Sequence, residues 1–208
     1  MNIIREACVG SVEQAMIAEK RKADRVELCS RLDLDGLTPD RKIIERTMNL
    51  LSIPVKIMIR PRSGNFIYSK QDIIKMEAEI DFCKKIGVSE VVFGMLNENS
   101  EVDIELTSAI AKKAAPMDIT FHKAIDHVND IKRGLERLSN VKEVTSILTS
   151  GGKDSALNGQ DMIKDIIRQF SSRFKIIAAG GITDENLNLV HSCIDSTEYH
   201  GKRIVGQL

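Results

Sequence analysis

Eight successive units of apolar strand, polar loop and amphipathic helix in 208 residues predict an α/β chain, a TIM-like (β/α)8 barrel lacking a full final helix. Three observations carry this. Apolar runs of strand length alternate with segments of helical period, and parallel strands need such crossovers. The units number eight, the closure number of the barrel. No linker, low-complexity tract or charge block interrupts the alternation, so one domain is expected over 1–208. The competing architecture is an open doubly wound sheet, which needs a point where strand order reverses.

The first strand is expected over 3–9, and Ser11-Val12-Glu13-Gln14 is a capping-box pattern that opens a helix to about residue 22. A second strand covers 24–30. Thr38-Pro39 then reads as a cap and an N1 proline, ahead of a helix with Ile43, Ile44, Thr47, Met48 and Leu51 inward. The third strand begins at Pro54 and stops at Arg60-Pro61-Arg62, because Pro61 holds Arg60 extended and cannot continue a ladder. Ser69 caps the next helix, which places Ile73, Met76, Ile80 and Cys83 on one face. Strands follow over 90–96, 118–126, 144–150, 174–179 and, briefly, 196–200. Helices lie between them over 103–114, 129–138, 156–170 and from Thr183 onward. The segment after His200 is too short for a full helix. The outer ring should therefore have a gap that exposes the apolar flank of the first and last strands, and a homo-oligomer, most simply a dimer, is expected.

Thirty basic residues balance thirty acidic ones, so charge argues for neither nucleic acid nor an anionic membrane as partner. No apolar run approaches the roughly 20 residues of a membrane span, and the chain opens into a strand rather than a signal peptide. The expected location is cytoplasmic. The four cysteines, Cys8, Cys29, Cys83 and Cys193, form no CxxC pair and are expected as free thiols.

In a parallel barrel the chemistry sits at the carboxyl ends of the strands, where side chains of one parity face the interior. Glu6-x-Cys8 and Glu27-x-Cys29 place the same pair at equivalent heights on adjacent strands, with thiols about 5–7 Å apart. Two soft sulfurs at that spacing suit Cu(I); two small buried hydrophobes are the competing reading. Arg60 at the barrel mouth fits a carboxylate or phosphate clamp, or equally an ion pair with Glu6, Glu27 or Asp126. His122 shares parity with Thr120 and Asp126, as a general acid or base or as a satisfied interior histidine. His127 and His191 read as surface residues, and His200 as a weaker site candidate. Gly151-Gly152 and Gly180-Gly181 each end a strand ahead of a helix N-terminus, a place where free amides attract anions.

Five co-linear stretches give the chain a likeness to a known family. They are VELCSRLDLDGLTP (26–39), MIRPRSGNFIYS (58–69), VVFGML (91–96), TFHKAID (120–126) and LTSGGKDSALNG (148–159), and together they resemble the CutC copper homeostasis family over nearly the whole chain. The resemblance implies a TIM-like barrel, a cytoplasmic protein and a role tied to copper, with Cys8 and Cys29 as Cu(I) ligands. It also implies a polar strand-end set of Glu6, Glu27, Arg60, His122 and Asp126. The chain departs from the family pattern at Ala7, Arg31, Lys123 and Ile125. A second reading stays open: a metabolic enzyme in which Arg60 and the glycine loops hold a small anionic, possibly phosphorylated, substrate while His122 and a carboxylate move protons.

Overall fold

The computed structural model describes residues 3–208. Eight parallel strands close into a barrel in sequence order: β1 (Ile4–Val9), β2 (Arg25–Leu28), β3 (Val55–Met58), β4 (Glu90–Phe93), β5 (Asp118–Phe121), β6 (Val144–Thr149), β7 (Lys175–Ala178) and β8 (Glu198–Gly201). β8 pairs back onto β1, Glu6 level with His200, so the sheet has no edge. Seven helices cover the outside among the described residues: α1 (Val12–Lys20), α2 (Arg41–Leu50), α3 (Lys70–Lys85), α4 (Ile104–Ala114), α5 (Ile131–Leu138), α6 (Gln160–Phe170) and α7 (Leu187–Ile194). The open sheet is thereby excluded.

Strand parity divides the chain into two kinds of interior. Ala7, Val9, Val26, Leu28, Ile57, Phe93, Phe121, Ile147 and Tyr199 belong to one continuous apolar core with the buried helix residues Ile44, Met76, Ile80 and Ile110. Each such aliphatic or aromatic side chain withdrawn from water contributes about 1.5–3 kcal/mol, which makes this layer the main source of stability. Residues of the other parity face the barrel axis. There, among the described residues, the apolar side chains form two small clusters, Cys8, Cys29, Met58 and Val92 in one, Leu148, Ile177 and Ala179 in the other. Charge occupies much of the remainder.

Local chemistry explains where elements begin and end. Ser69 and Asp72 form a reciprocal capping box on α3. Ser11 caps α1 by accepting from the Gln14 amide, but Gln14 turns its side chain to the Gly10 amide. The expected Thr38 cap is corrected: Asp40 caps α2, and the Thr38 hydroxyl instead accepts from the Arg60 amide, fastening the second loop to the end of β3. The fifth strand is shorter than expected. It stops at Phe121, and His122 caps a 3-10 turn over Lys123–His127 by accepting from the Ala124 amide. The parity argument linking His122 to Asp126 fails at that turn. α6 and α7 also start later than expected, so neither glycine pair abuts a helix N-terminus.

Among the described residues no helix follows β8, but the space is not bare. The terminal segment folds back with Ile204 and Val205 buried, and Arg21 on the α1 side donates to the carbonyls of Val205 and Gln207. The expected naked flank of β1 and β8 is therefore corrected: residues 204–207 pack back there, with Ile204 and Val205 buried.

Candidate functional site

The barrel axis is filled from below by an ion-pair lattice. Arg25 bonds Glu6 and Glu198, while Lys56 stands 3.0 Å from Glu6 and 2.8 Å from Glu90. Lys56 also donates to Thr120, whose hydroxyl donates to Glu90. Buried charge is tolerated only when paired and hydrogen-bonded in this way. Burial opposes both ions, yet Lys56, His200 and Arg25 hold the Glu6 carboxyl well below its usual range. Glu6 and Glu90 likewise raise the Lys56 pKa.

Above this floor the sulfurs appear. The β1–β2 register sets Cys8 level with Glu27 and Glu6 level with Arg25, so the two Glu-x-Cys pairs are staggered by two residues rather than standing at equal height. The stagger brings the thiols together around one carboxylate: Glu27 Oε2 lies 3.7 Å from Cys8 Sγ and 3.5 Å from Cys29 Sγ. Ligand atoms of Cys8, Glu27 and Cys29 all lie within 4.8 Å of one another, closer than the sequence expectation. Gly36 packs over this cluster at φ +85, where an added Cβ would stand 3.2 Å from Cys29 Sγ.

His200 completes the group. Its Nδ1 is 2.7 Å from Glu6 Oε1 and its Nε2 3.7 Å from Glu27 Oε2. Hydrogen bonding to Cys29, with the His200 ring adding to it, holds the Cys8 thiol well below the ordinary cysteine value, against its burial. The same bond, together with burial, pushes Cys29 well above it. Burial pushes the Glu27 carboxyl up to about 8. Its Oε1 is buried with no hydrogen-bond partner among the described residues, an acceptor left open beside two thiols.

A cavity of about 570 Å³ opens over these groups at the carboxyl ends of the strands. Cys8, Glu27 and His200 line one side, Arg60, Phe66 and His122 another, and Gly180 and Gly181 a third. Phe66 joins two of these residues: the Arg60 guanidinium sits 5.0 Å from its ring centroid and the His122 ring 4.9 Å from it. Burial, with Arg60 nearby, depresses the His122 pKa to about 3.

Of the residues singled out in the sequence, Glu6, Cys8, Glu27 and Cys29 come together, and Arg60, His122, Gly180 and Gly181 line the same cavity. Arg60 was expected to pair with a carboxylate. It donates instead to the carbonyls of Leu34, Gly36 and Gly64. Asp126, Gly151 and Gly152 are brought to one another rather than to the cavity. The Asp126 carboxylate accepts from Thr149, from the Ser150 amide and hydroxyl, and from the Gly152 amide, so the chain's own anion fills that nest. Among the described residues, Arg25, Lys56, Glu90 and Glu198 are interior residues that the sequence reading passed over, and His200 and His127 were underrated. Alternation was the available signal, since 25, 27 and 29, and 56, 58 and 60, share parity.

Fold and site define a (β/α)8-barrel protein with a thiol–carboxylate–histidine cluster at the strand-end mouth. Residues 3–205 match the CutC family, and the chain belongs to it. It is 41% identical over 197 residues to the copper homeostasis protein cutC homolog of Homo sapiens, covering 95% of this chain and 72% of that protein. Identity to the CutC family protein of Pasteurella multocida is 35% over 195 residues, 94% of this chain and 80% of the relative. The crystal structure of the CutC protein from Streptococcus agalactiae superposes with a TM-score of 0.92 at 29% identity, covering 97% of this chain and 99% of that one. A phosphoribosylanthranilate isomerase from Thermotoga maritima shares the barrel alone, at TM-score 0.59 and 16% identity, over 96% of this chain and 86% of that one.

Proposed function

We propose that the chain takes part in copper homeostasis by holding Cu(I) between Cys8 and Cys29. The observation that carries this reading is the cluster of two buried thiols and Glu27 within 4.8 Å. Metal–thiolate bonds are about 2.3 Å long, so one soft ion fits between two sulfurs so spaced. The donor set suits the ion. The low Cys8 pKa favours a cation arriving at this point, because Cys8 presents the thiolate that a soft metal needs. The other two cysteines offer no comparable pair: Cys83 is packed in the apolar core with its pKa pushed up to about 12 by burial, and Cys193 lies on α7.

Competition against a Cu(I) chelator tests the reading. Cys8→Ser and Cys29→Ser are each expected to abolish one high-affinity site that Cys83→Ser retains; equal affinity in all three variants would overturn it. No helix among the described residues is long and apolar enough to cross a membrane. Homo-oligomerisation is part of the same proposal. Met16 and Ile17 on α1 and Leu189 on α7, the helices bordering the β8 gap, are exposed. Sedimentation equilibrium giving a clean monomer at micromolar concentration would count against it.

A further inference from the structure

We propose that the Arg60–Phe66–His122 side of the cavity is a binding site for a small organic oxyanion, a carboxylate or a phosphate ester, separate from the sulfur pair. The proposal does not rest on the copper reading.

Arg60 is the first argument. It is 4% exposed, and its terminal nitrogens donate only to neutral carbonyls, those of Leu34, Gly36 and Gly64. No ion pair among the described residues includes it. Every other deeply buried cation in this barrel is matched: Arg25 has two carboxylates, and so has Lys56. Burying a guanidinium without a counter-ion is expensive, and the cavity beside it is where an anion can enter. Its Nε is buried with no hydrogen-bond partner among the described residues.

His122 is the second, independent argument. Its Nδ1 accepts from the Ala124 amide at 3.2 Å, so the proton of the neutral ring lies on Nε2. That Nε2 is also buried and without a partner among the described residues, in a side chain that lines the cavity. With a pKa depressed to about 3, the ring stays neutral at physiological pH and presents an N–H rather than a positive charge. A buried donor left open in this way costs stability unless an acceptor reaches it.

Both donors border the same aromatic ring, which can serve as the apolar wall for a ligand's carbon skeleton. A space of about 570 Å³ accommodates a metabolite rather than a bare ion. Lys123, Lys202 and Arg203 on the rim add long-range attraction for a negative ligand, moderated by Asp35 and Asp154. Two unpartnered N–H donors from different elements, one charged and one neutral, in side chains that flank the same aromatic ring and line the same cavity, suit an oxyanion on a small carbon framework.

The test uses metal-free, uniformly 15N-labelled full-length protein titrated with malonate and, separately, with inorganic phosphate, following the His122 Nε2–H resonance. A saturable shift with either probe is expected, and the more effective probe identifies the ligand as carboxylate or phosphate. Arg60→Met is expected to weaken the effective probe about tenfold or more, the usual effect of losing a charge-assisted hydrogen bond. Arg60→Lys keeps the charge and serves where the methionine variant does not fold; it too is expected to bind more weakly, having lost the Nε–H. No shift at His122 with either probe at tens of millimolar would overturn the proposal. So would undiminished affinity in the folded Arg60 variant.

Discussion

Cys8 stands level with Glu27 across the β1–β2 ladder, and its sulfur lies 3.7 Å from the Glu27 carboxylate. The relationship follows from barrel closure. Strands that tilt around an axis must stagger their registers, so residues of matched sequence position on neighbouring strands do not share a layer. Cys8 therefore stands level with Glu27 rather than with Cys29, and Cys29, two residues further on, closes over the same carboxylate with its sulfur still within 4.8 Å of that of Cys8. Two thiols that would face each other as simple neighbours instead flank an acidic group. Its burial keeps that group largely protonated at neutral pH, leaving room for negative charge on Cys8.

His122 gives stability a pH dependence of known sign. Its folded pKa, lowered to about 3 from 6.5 by burial, means that the unfolded chain binds the extra proton first. Stability from this group is complete above pH 6.5 and is lost as pH falls toward 3, by at most about 1.4 kcal/mol per pH unit. Urea denaturation between pH 7 and roughly pH 4 is expected to show a shallower acid limb in His122→Asn than in the parent. Parallel acid limbs would show that His122 is not buried neutral.

How much of this was legible in the sequence depends on which force set each feature. The eight strands were legible because an apolar run against covering helices needs no partner's identity to be recognised. Glu6, Cys8, Glu27 and Cys29 were found because alternation assigns them to one face. Lys56 and Arg25 share that parity with their neighbours, but nothing within either strand marks the carboxylates that pair with them. Their neutralising partners lie on other strands, Glu198 at the far end of the chain from Arg25. Register decides such pairs, and barrel shear rather than any two strand sequences decides register. Asp126 was misplaced for a local reason: a bond from the Ala124 amide to the His122 side chain turns the chain out of the strand at Phe121, five residues before the expected end at Asp126.

Gly94 is the residue that admits the His122 ring. An added Cβ would stand 2.6 Å from Nδ1 and 2.8 Å from Cε1, closer than packing allows, although the Gly94 backbone itself is not left-handed. Gly94→Ala is thus a steric wedge chiefly against the imidazole, with the Ala124 Cβ next at 3.0 Å. It is expected to cost about 1–3 kcal/mol in denaturant unfolding, the usual range for overpacking. It should also shift the His122 side-chain resonances and weaken malonate or phosphate binding while leaving Cu(I) affinity near that of the parent. Unchanged His122 resonances would mean that the loop gives way instead of the ring.

Lys56 carries the most consequential charge in the barrel floor. It lies between Glu6 and Glu90, 1% exposed, with Thr120 accepting its third bond. Glu6 retains Arg25 and His200 if the lysine is removed, but among the described residues Glu90 retains only the Thr120 hydroxyl. Lys56→Met is therefore expected to destabilise the fold by about 3–5 kcal/mol, the range for stranding one partner of a buried pair. Adding Glu90→Gln to that variant removes the stranded charge and is expected to restore a large part of the loss. A thermodynamic cycle from urea unfolding of the parent, the two single variants and the double variant isolates the pair. If the two losses simply added, the Lys56–Glu90 contact would carry no coupling, and the floor would be held by the Glu6 bonds alone.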